Sequence, residues 1–134
     1  MRVAAAVILL GLAATWIFID TNSSPEQLFI EFYQPPINMT SRGSEETIQL
    51  TPQEKAMDNA HQFIRENSTG QAEKILESLI SLNSNQKDQA EWLLVMTALQ
   101  AGNRALARNR LDLIMQNSNH AYNNERAKKL SRKL

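Results

Sequence analysis

Few side chains in this sequence are of types that do chemistry, and their spacing keeps them apart. His61 and His120 have no second imidazole or carboxylate at ligand spacing, whereas a transition-metal site needs about three or four converging donors. Glu45 and Glu46 could in principle act as an acid/base pair, but they sit in a polar stretch and read as solvating charge. There is no cysteine, which removes disulfides, thiolate zinc sites and thiol nucleophiles together. No glycine-rich phosphate loop, Gly-x-Ser-x-Gly or His-Glu-x-x-His occurs. The sequence nominates no catalytic residue, no cofactor and no metal ligand. It predicts a non-enzyme.

Charge offers one further lead. Lys+Arg and Asp+Glu both total 14, so no global field draws the chain to nucleic acid. The distribution is uneven: residues 20–60 hold seven acids and two bases, while 103–134 hold eight bases and two acids. Lys128, Lys129, Arg132 and Lys133 could meet anionic lipid or an acidic partner. The simpler expectation is a solvated face on a terminal helix. Basic residues are not interleaved with aromatics, so nucleic acid is not expected as a partner.

The elements that would carry these residues are legible from an internal echo. A shift of 35 lays Asn67 on Gly102, Ala72 on Ala107, Leu76 on Leu111, Leu79 on Ile114 and Ile80 on Met115. The preceding stretches agree: Met57 falls on Trp92, Ala60 on Val95 and Ile64 on Leu99. A turn residue, a small residue and then spaced apolar residues describe two antiparallel helices crossing at the alanine. A period in the thirties is the mark of a helical repeat whose units bury their faces on one another.

Local signals set the boundaries. Ser24-Pro25-Glu26-Gln27 and Thr51-Pro52-Gln53-Glu54 each pair a cap, a first-turn proline and a capping-box partner. The first helix carries Leu28, Phe29, Phe32 and Tyr33 and stops at Pro35-Pro36. Those aromatics are expected to pack over the first repeat unit. Asn83-Ser84-Asn85 makes a turn, with Asn85 and Asp88 suited to capping the next helix. Gly102 suits a helix terminus because glycine tolerates the left-handed conformation. A last helix over 120–134 has an apolar side and a basic side.

Val3 to Ile19 is an uncharged run of 17 residues, as a helix roughly 26 Å long at ~1.5 Å per residue. Arg2 lies at one end and Trp16 and Asp20 at the other, so the positive-inside bias puts the N-terminus in the cytoplasm. A retained anchor is favoured. The alternative is a cleaved signal with Gly11-Leu12-Ala13 as its processing site. Trp16-Ile17-Phe18-Ile19 would then persist as an apolar stub.

The second unit, AEWLLVMTALQAGNRALARNRLDLI, resembles a tetratricopeptide (TPR) unit, with Gly102 at the inter-helix turn and Ala107 at the small crossing position. More widely, the chain is similar to membrane-anchored TPR proteins of Bacteroidota, often encoded beside extracytoplasmic-function sigma factors. That resemblance rests on Ser24-Pro25-Glu26 after the span, on Leu28-Phe29-Ile30-Glu31-Phe32-Tyr33-Gln34-Pro35, on Asn38 and on Arg42-Gly43. It implies helical repeats outside the inner membrane. Longer members add a cytoplasmic anti-sigma-like segment, where here only Met1 and Arg2 precede the span.

The expected fold is all-α: an N-terminal transmembrane helix, then a short TPR-like α-α hairpin solenoid closed by a capping helix. Residues 1–20 form the signal-anchor, 21–50 a helix plus linker, and 51–134 the repeat domain, with units at 53–82 and 86–116 and a cap at 120–134. Repeat packing falls to Ala72, Leu76, Leu79, Trp92, Gly102, Ala107, Leu111 and Ile114. Two units are few, since about three are usually needed, so the accessory helices or self-association must supply cover. The expected function is a protein–protein interaction module on the periplasmic side of the inner membrane, its other partner the lipid bilayer. Its peptide groove would use Asn59, His61, Gln62, Glu91, Thr97 and Gln100. The alternatives are an accessory or truncated member of an anti-sigma signalling system, and a secreted helical protein with a cleaved signal.

Overall fold

Both Pro-led start signals begin helices. The computed structural model describes residues 23–36 and 50–134. Ser24 Oγ accepts the Gln27 N–H at 3.2 Å while Gln27 Oε1 accepts the Ser24 N–H at 3.0 Å, opening helix α1 (Pro25–Phe32). Thr51 and Glu54 make the same reciprocal pair at 3.2 and 2.7 Å, opening α2 (Pro52–Arg65). Helices α3 (Thr69–Ser81), α4 (Lys87–Gln100), α5 (Arg104–Gln116) and α6 (Glu125–Lys133) follow among the described residues. The described residues are all-helical and contain no strand.

The 35-residue echo is reproduced in backbone geometry. At the end of α2, Asn67 takes φ 58°; its N–H reaches Ile64 O and the Ser68 N–H reaches Phe63 O. At the end of α4, Gly102 takes φ 75°; its N–H reaches Leu99 O and the Asn103 N–H reaches Ala98 O. Both are Schellman ends, in which one left-handed residue lets the last carbonyls find donors. Burial repeats as well. Ile64 and Leu99, Ala72 and Ala107, and Leu76 and Leu111 are all fully buried. The alanines are small enough to let paired helices approach closely. Consecutive helices from α2 to α6 pack against one another, and α1 packs on α4.

Two apolar clusters result. One joins Met57, Ala60, Ile64, Ala72, Leu76 and Leu79 to Ala90, Leu93 and Leu94. The other joins Trp92, Val95, Met96, Leu99, Ala107, Leu111 and Ile114 to Leu28, Phe32, Ala127 and Leu130. Helix α4 serves both and is buried continuously from Trp92 to Leu99.

Two local expectations need correction. Helix α4 is preceded by Gln86, which makes no side-chain cap; neither Asn85 nor Asp88 caps it. The terminal helix is shorter than 120–134, because Asn124 Oδ1 accepts the Arg126 N–H at 2.9 Å and starts α6 there. The proposed span Val3–Ile19 lies outside the described residues, as do Glu45, Glu46, Asn38 and Arg42-Gly43. Among the described residues no helix is long and apolar enough to cross a membrane.

Candidate functional site

The face expected to form an open groove, made by α2 and α4, already holds a helix: α1. Its apolar residues recur at i and i+4 in two neighbouring rows, Leu28 with Phe32 and Phe29 with Tyr33, which puts both rows on one side of a helix. Leu28 and Phe32 are buried in the α4–α5–α6 cluster, while Phe29 and Tyr33 touch both clusters. The two outer rings stack, with centroids 4.9 Å apart and planes 17° from parallel. The aromatics therefore do not simply cover the first unit, as expected from sequence. Their main seat is α4, the first helix of the second unit.

A polar rim fastens this seat. Lys129 Nζ and Lys133 Nζ donate to Glu31 at 2.8 and 3.0 Å. These two donors hold the Glu31 carboxyl below its ordinary pKa. Arg126 donates to Phe32 O and, at 2.8 Å, to Gln34 Oε1. Its guanidinium also lies 5.6 Å from the Trp92 ring centroid, within cation–π range. Arg104 Nη2 reaches Ser23 O at 2.6 Å and Lys133 O at 3.1 Å. The basic side of the last helix is thus more than a solvated face: three of its cations hold α1.

On α2, a hydrogen bond of 3.0 Å joins Tyr33 Oη and His61 Nδ1. His61 is buried, and among the described residues its Nε2 has no partner. Burial, aided by the nearby Arg65 charge, lowers the His61 pKa below the ordinary imidazole value. Burial likewise raises the Tyr33 phenol.

The six nominated groove residues separate. Asn59 and Gln62 are exposed, and Gln62 Nε2 donates at 2.8 Å to Glu66, the residue that caps the end of α2. His61 lies beneath Tyr33. Gln100 Nε2 bridges to Ile64 O at 2.8 Å, linking the ends of α2 and α4. Thr97 is fully buried and its hydroxyl donates to Leu94 O at 2.9 Å, so it lines no open surface. Glu91 is committed to a histidine.

That histidine is His120, and here sequence spacing misled: two carboxylates do reach it. Asp88, Glu91 and His120 bring ligand atoms within 4.8 Å of one another. Glu91 Oε2 lies 2.9 Å and Asp88 Oδ1 3.8 Å from His120 Nε2. The donor types would suit a divalent cation, but the hydrogen bonds do not. His120 Nδ1 accepts the Tyr122 N–H at 3.0 Å, so the proton of a neutral ring sits on Nε2 and is donated to Glu91. A metal on Nε2 would require a proton on Nδ1, facing another N–H. Asp88 Oδ2 also accepts the Ala121 N–H at 2.7 Å. The cluster fastens the α5–α6 loop to the start of α4. Tyr122 completes the fastening by stacking on Trp92, with centroids 5.3 Å apart.

The chain finds no match among protein-family models, curated proteins or solved structures. These contacts are therefore what speaks for function. Sequence reading missed Arg104 and Arg126 as clamps. The available signal was the i, i+4 pair Lys129 and Lys133, whose common face can chelate one carboxylate; nothing local pointed to Glu31, about a hundred residues away.

Proposed function

We propose that this chain is a non-enzymatic, TPR-like protein-interaction module. Val3–Ile19 tethers it to the inner membrane, with its helices on the periplasmic side. One observation carries the reading: the face of the first helices of the two pairs already accepts a helical peptide, α1, through an apolar stripe and a charged rim. Helix-in-groove recognition uses these same parts. The two histidines support a non-catalytic reading, because His61 is buried beneath Tyr33 and His120 is bonded to Glu91.

A photo-reactive amino acid placed at Asn59 or Gln62, the two exposed groove candidates, tests it in membranes of the producing cell. We expect a discrete adduct with a protein from either position. Adducts with lipid alone, or none, would remove this reading.

A further inference from the structure

We propose that the seat of α1 is a receptor site whose partner is an α1-like amphipathic helix on another protein, α1 being the resident competitor. This deepens the interaction-module reading and rests on it. The stated chemistry of the partner is a short helix with Leu or aromatic residues at i, i+1, i+4 and i+5 and a carboxylate at i+3. Leu28, Phe29, Glu31 and Phe32 occupy those places in α1, and Tyr33 is the residue that caps its end.

Three observations separate α1 from a permanent core element. First, it has only 8 residues, far below the length at which a helix holds itself together in water, so its helicity depends on the seat. Second, its polar fastenings to α6 are mostly at the surface. Glu31, Lys129 and Gln34 are exposed, and such pairs are individually weak. Third, α1 leaves buried polar atoms unmet where it docks. Among the described residues, His61 Nε2, under Tyr33, and Arg104 Nε, whose guanidinium holds Ser23 O, have no hydrogen-bond partner. Unmet buried polar atoms are costly, so a ligand that offered hydrogen-bond partners there would gain contacts that α1 does not make.

The seat cannot simply stand empty. Leu28 and Phe32 are buried, and removing them would expose apolar surface on α4 and α6. Exchange is the accessible event: an incoming helix takes the place of α1 as it leaves. Charge complementarity sets which helices qualify, because Lys129 and Lys133 converge on one carboxylate.

The test uses the full chain in lipid nanodiscs and, as probe, a fluorescent peptide of residues 23–36. Glu31→Lys in the protein turns α1 against Lys129 and Lys133 while leaving the receptor face untouched. We expect the probe to bind this variant about tenfold more tightly than the unaltered chain, the scale of reversing two surface pairs. A probe carrying Glu31→Lys should lose that binding. It should regain it on a protein carrying Lys129→Glu and Lys133→Glu, a rescue that mere destabilisation could not produce. Equal probe binding to both proteins, or none to either, would overturn the proposal. So would concentration-dependent pairing of the unaltered chain that the probe dissolves, which would give the seat to a second copy. If crosslinks form at Asn59 or Gln62 while the probe fails, the interaction reading survives and this inference does not.

Discussion

Helices α2 and α4 hold equivalent places in the 35-residue register, yet water treats them differently. Asp58, Asn59 and Gln62 are exposed on α2; their counterparts Leu93, Leu94 and Thr97 are buried on α4. The cause is position in the stack. Helix α4 has α3 on one side, α5 on another and α1 on a third, whereas α2 rests chiefly on α3. The amino acids obey that geometry, since polar side chains at those places on α4 would each need a buried partner. Thr97 meets the demand by bonding to Leu94 O. A repeat thus preserves its crossing points (Ile64 and Leu99, Ala72 and Ala107) while its outward faces diverge according to neighbours.

Truncating matched core leucines is the harshest way to break this comparison. Leu76 and Leu111 are both fully buried, and Leu→Ala at such sites costs about 2–5 kcal/mol. Leu111→Ala should fall nearer the upper end, because its cluster also anchors α1 and α6. Urea unfolding of both variants measures the difference. A larger loss for Leu76→Ala would mean that the first pair, not the second, holds the fold together.

The alanine crossings test whether the two pairs share one geometry. Ala72→Leu and Ala107→Leu should each destabilise by about 1–3 kcal/mol through overpacking, since both alanines are fully buried. Similar midpoints are expected in thermal melts. A cost at one site alone would show that the register repeats in sequence but not in packing distance.

The turn residues sharpen the comparison by backbone alone. Among the described residues nothing lies within 4 Å of where a Cβ on Gly102 would go, yet its φ is +75°. Gly102→Ala should therefore cost about 1–2 kcal/mol as left-handed strain. Asn67 holds the same place with φ 58°, so Asn67→Gly should be close to neutral. If Gly102→Ala is also neutral, strain is not what selects the residue there.

These sites were readable because they depend on near neighbours. Ser24 with Gln27, Thr51 with Glu54, and Asn67 and Gly102 act within a few residues, and the echo aligns the last two. The His120 cluster was not readable, because Asp88 and Glu91 reach it only once α4 and α5 fold back and return the loop beside the start of α4. Helix α1 shows both sides of this limit. Its start and apolar rows were legible, but its docking depends on Lys129, Lys133 and Arg126 at the far end of the chain. Repeat position alone makes Thr97 a groove candidate beside Gln62; its burial follows from the neighbours packed on α4.

His61 and Met96 are register partners, and the histidine adds a pH dependence that methionine cannot. The folded-state pKa of His61 lies below the ordinary imidazole value because burial disfavours the cation, with Arg65 adding to the effect and Asp58 opposing it. As pH falls below about 6.5, the unfolded chain takes the proton first. Stability present above that pH is therefore lost as pH drops toward the folded pKa. Melting temperature should decline over this window, and His61→Gln should flatten the decline. An unchanged slope in the variant would assign the acid sensitivity elsewhere.

The smallest expected effect separates the lysines of the last helix. Among the described residues Lys128 pairs only with Glu125 on its own helix, whereas Lys129 and Lys133 reach across to Glu31 on α1. Exposed ion pairs contribute roughly 0.2–1 kcal/mol each, and salt screens them. Lys129→Gln with Lys133→Gln should therefore lower stability by no more than about 1–2 kcal/mol in low salt, with the difference shrinking in high salt. Lys128→Gln should change nothing measurable. The informative readout is local: chymotrypsin cleavage after Phe29 or Phe32 should quicken in the double variant and not in Lys128→Gln. If both variants are cleaved at the same rate, the fastening of α1 lies in Leu28 and Phe32 alone, and the charged rim only selects the helix that fits.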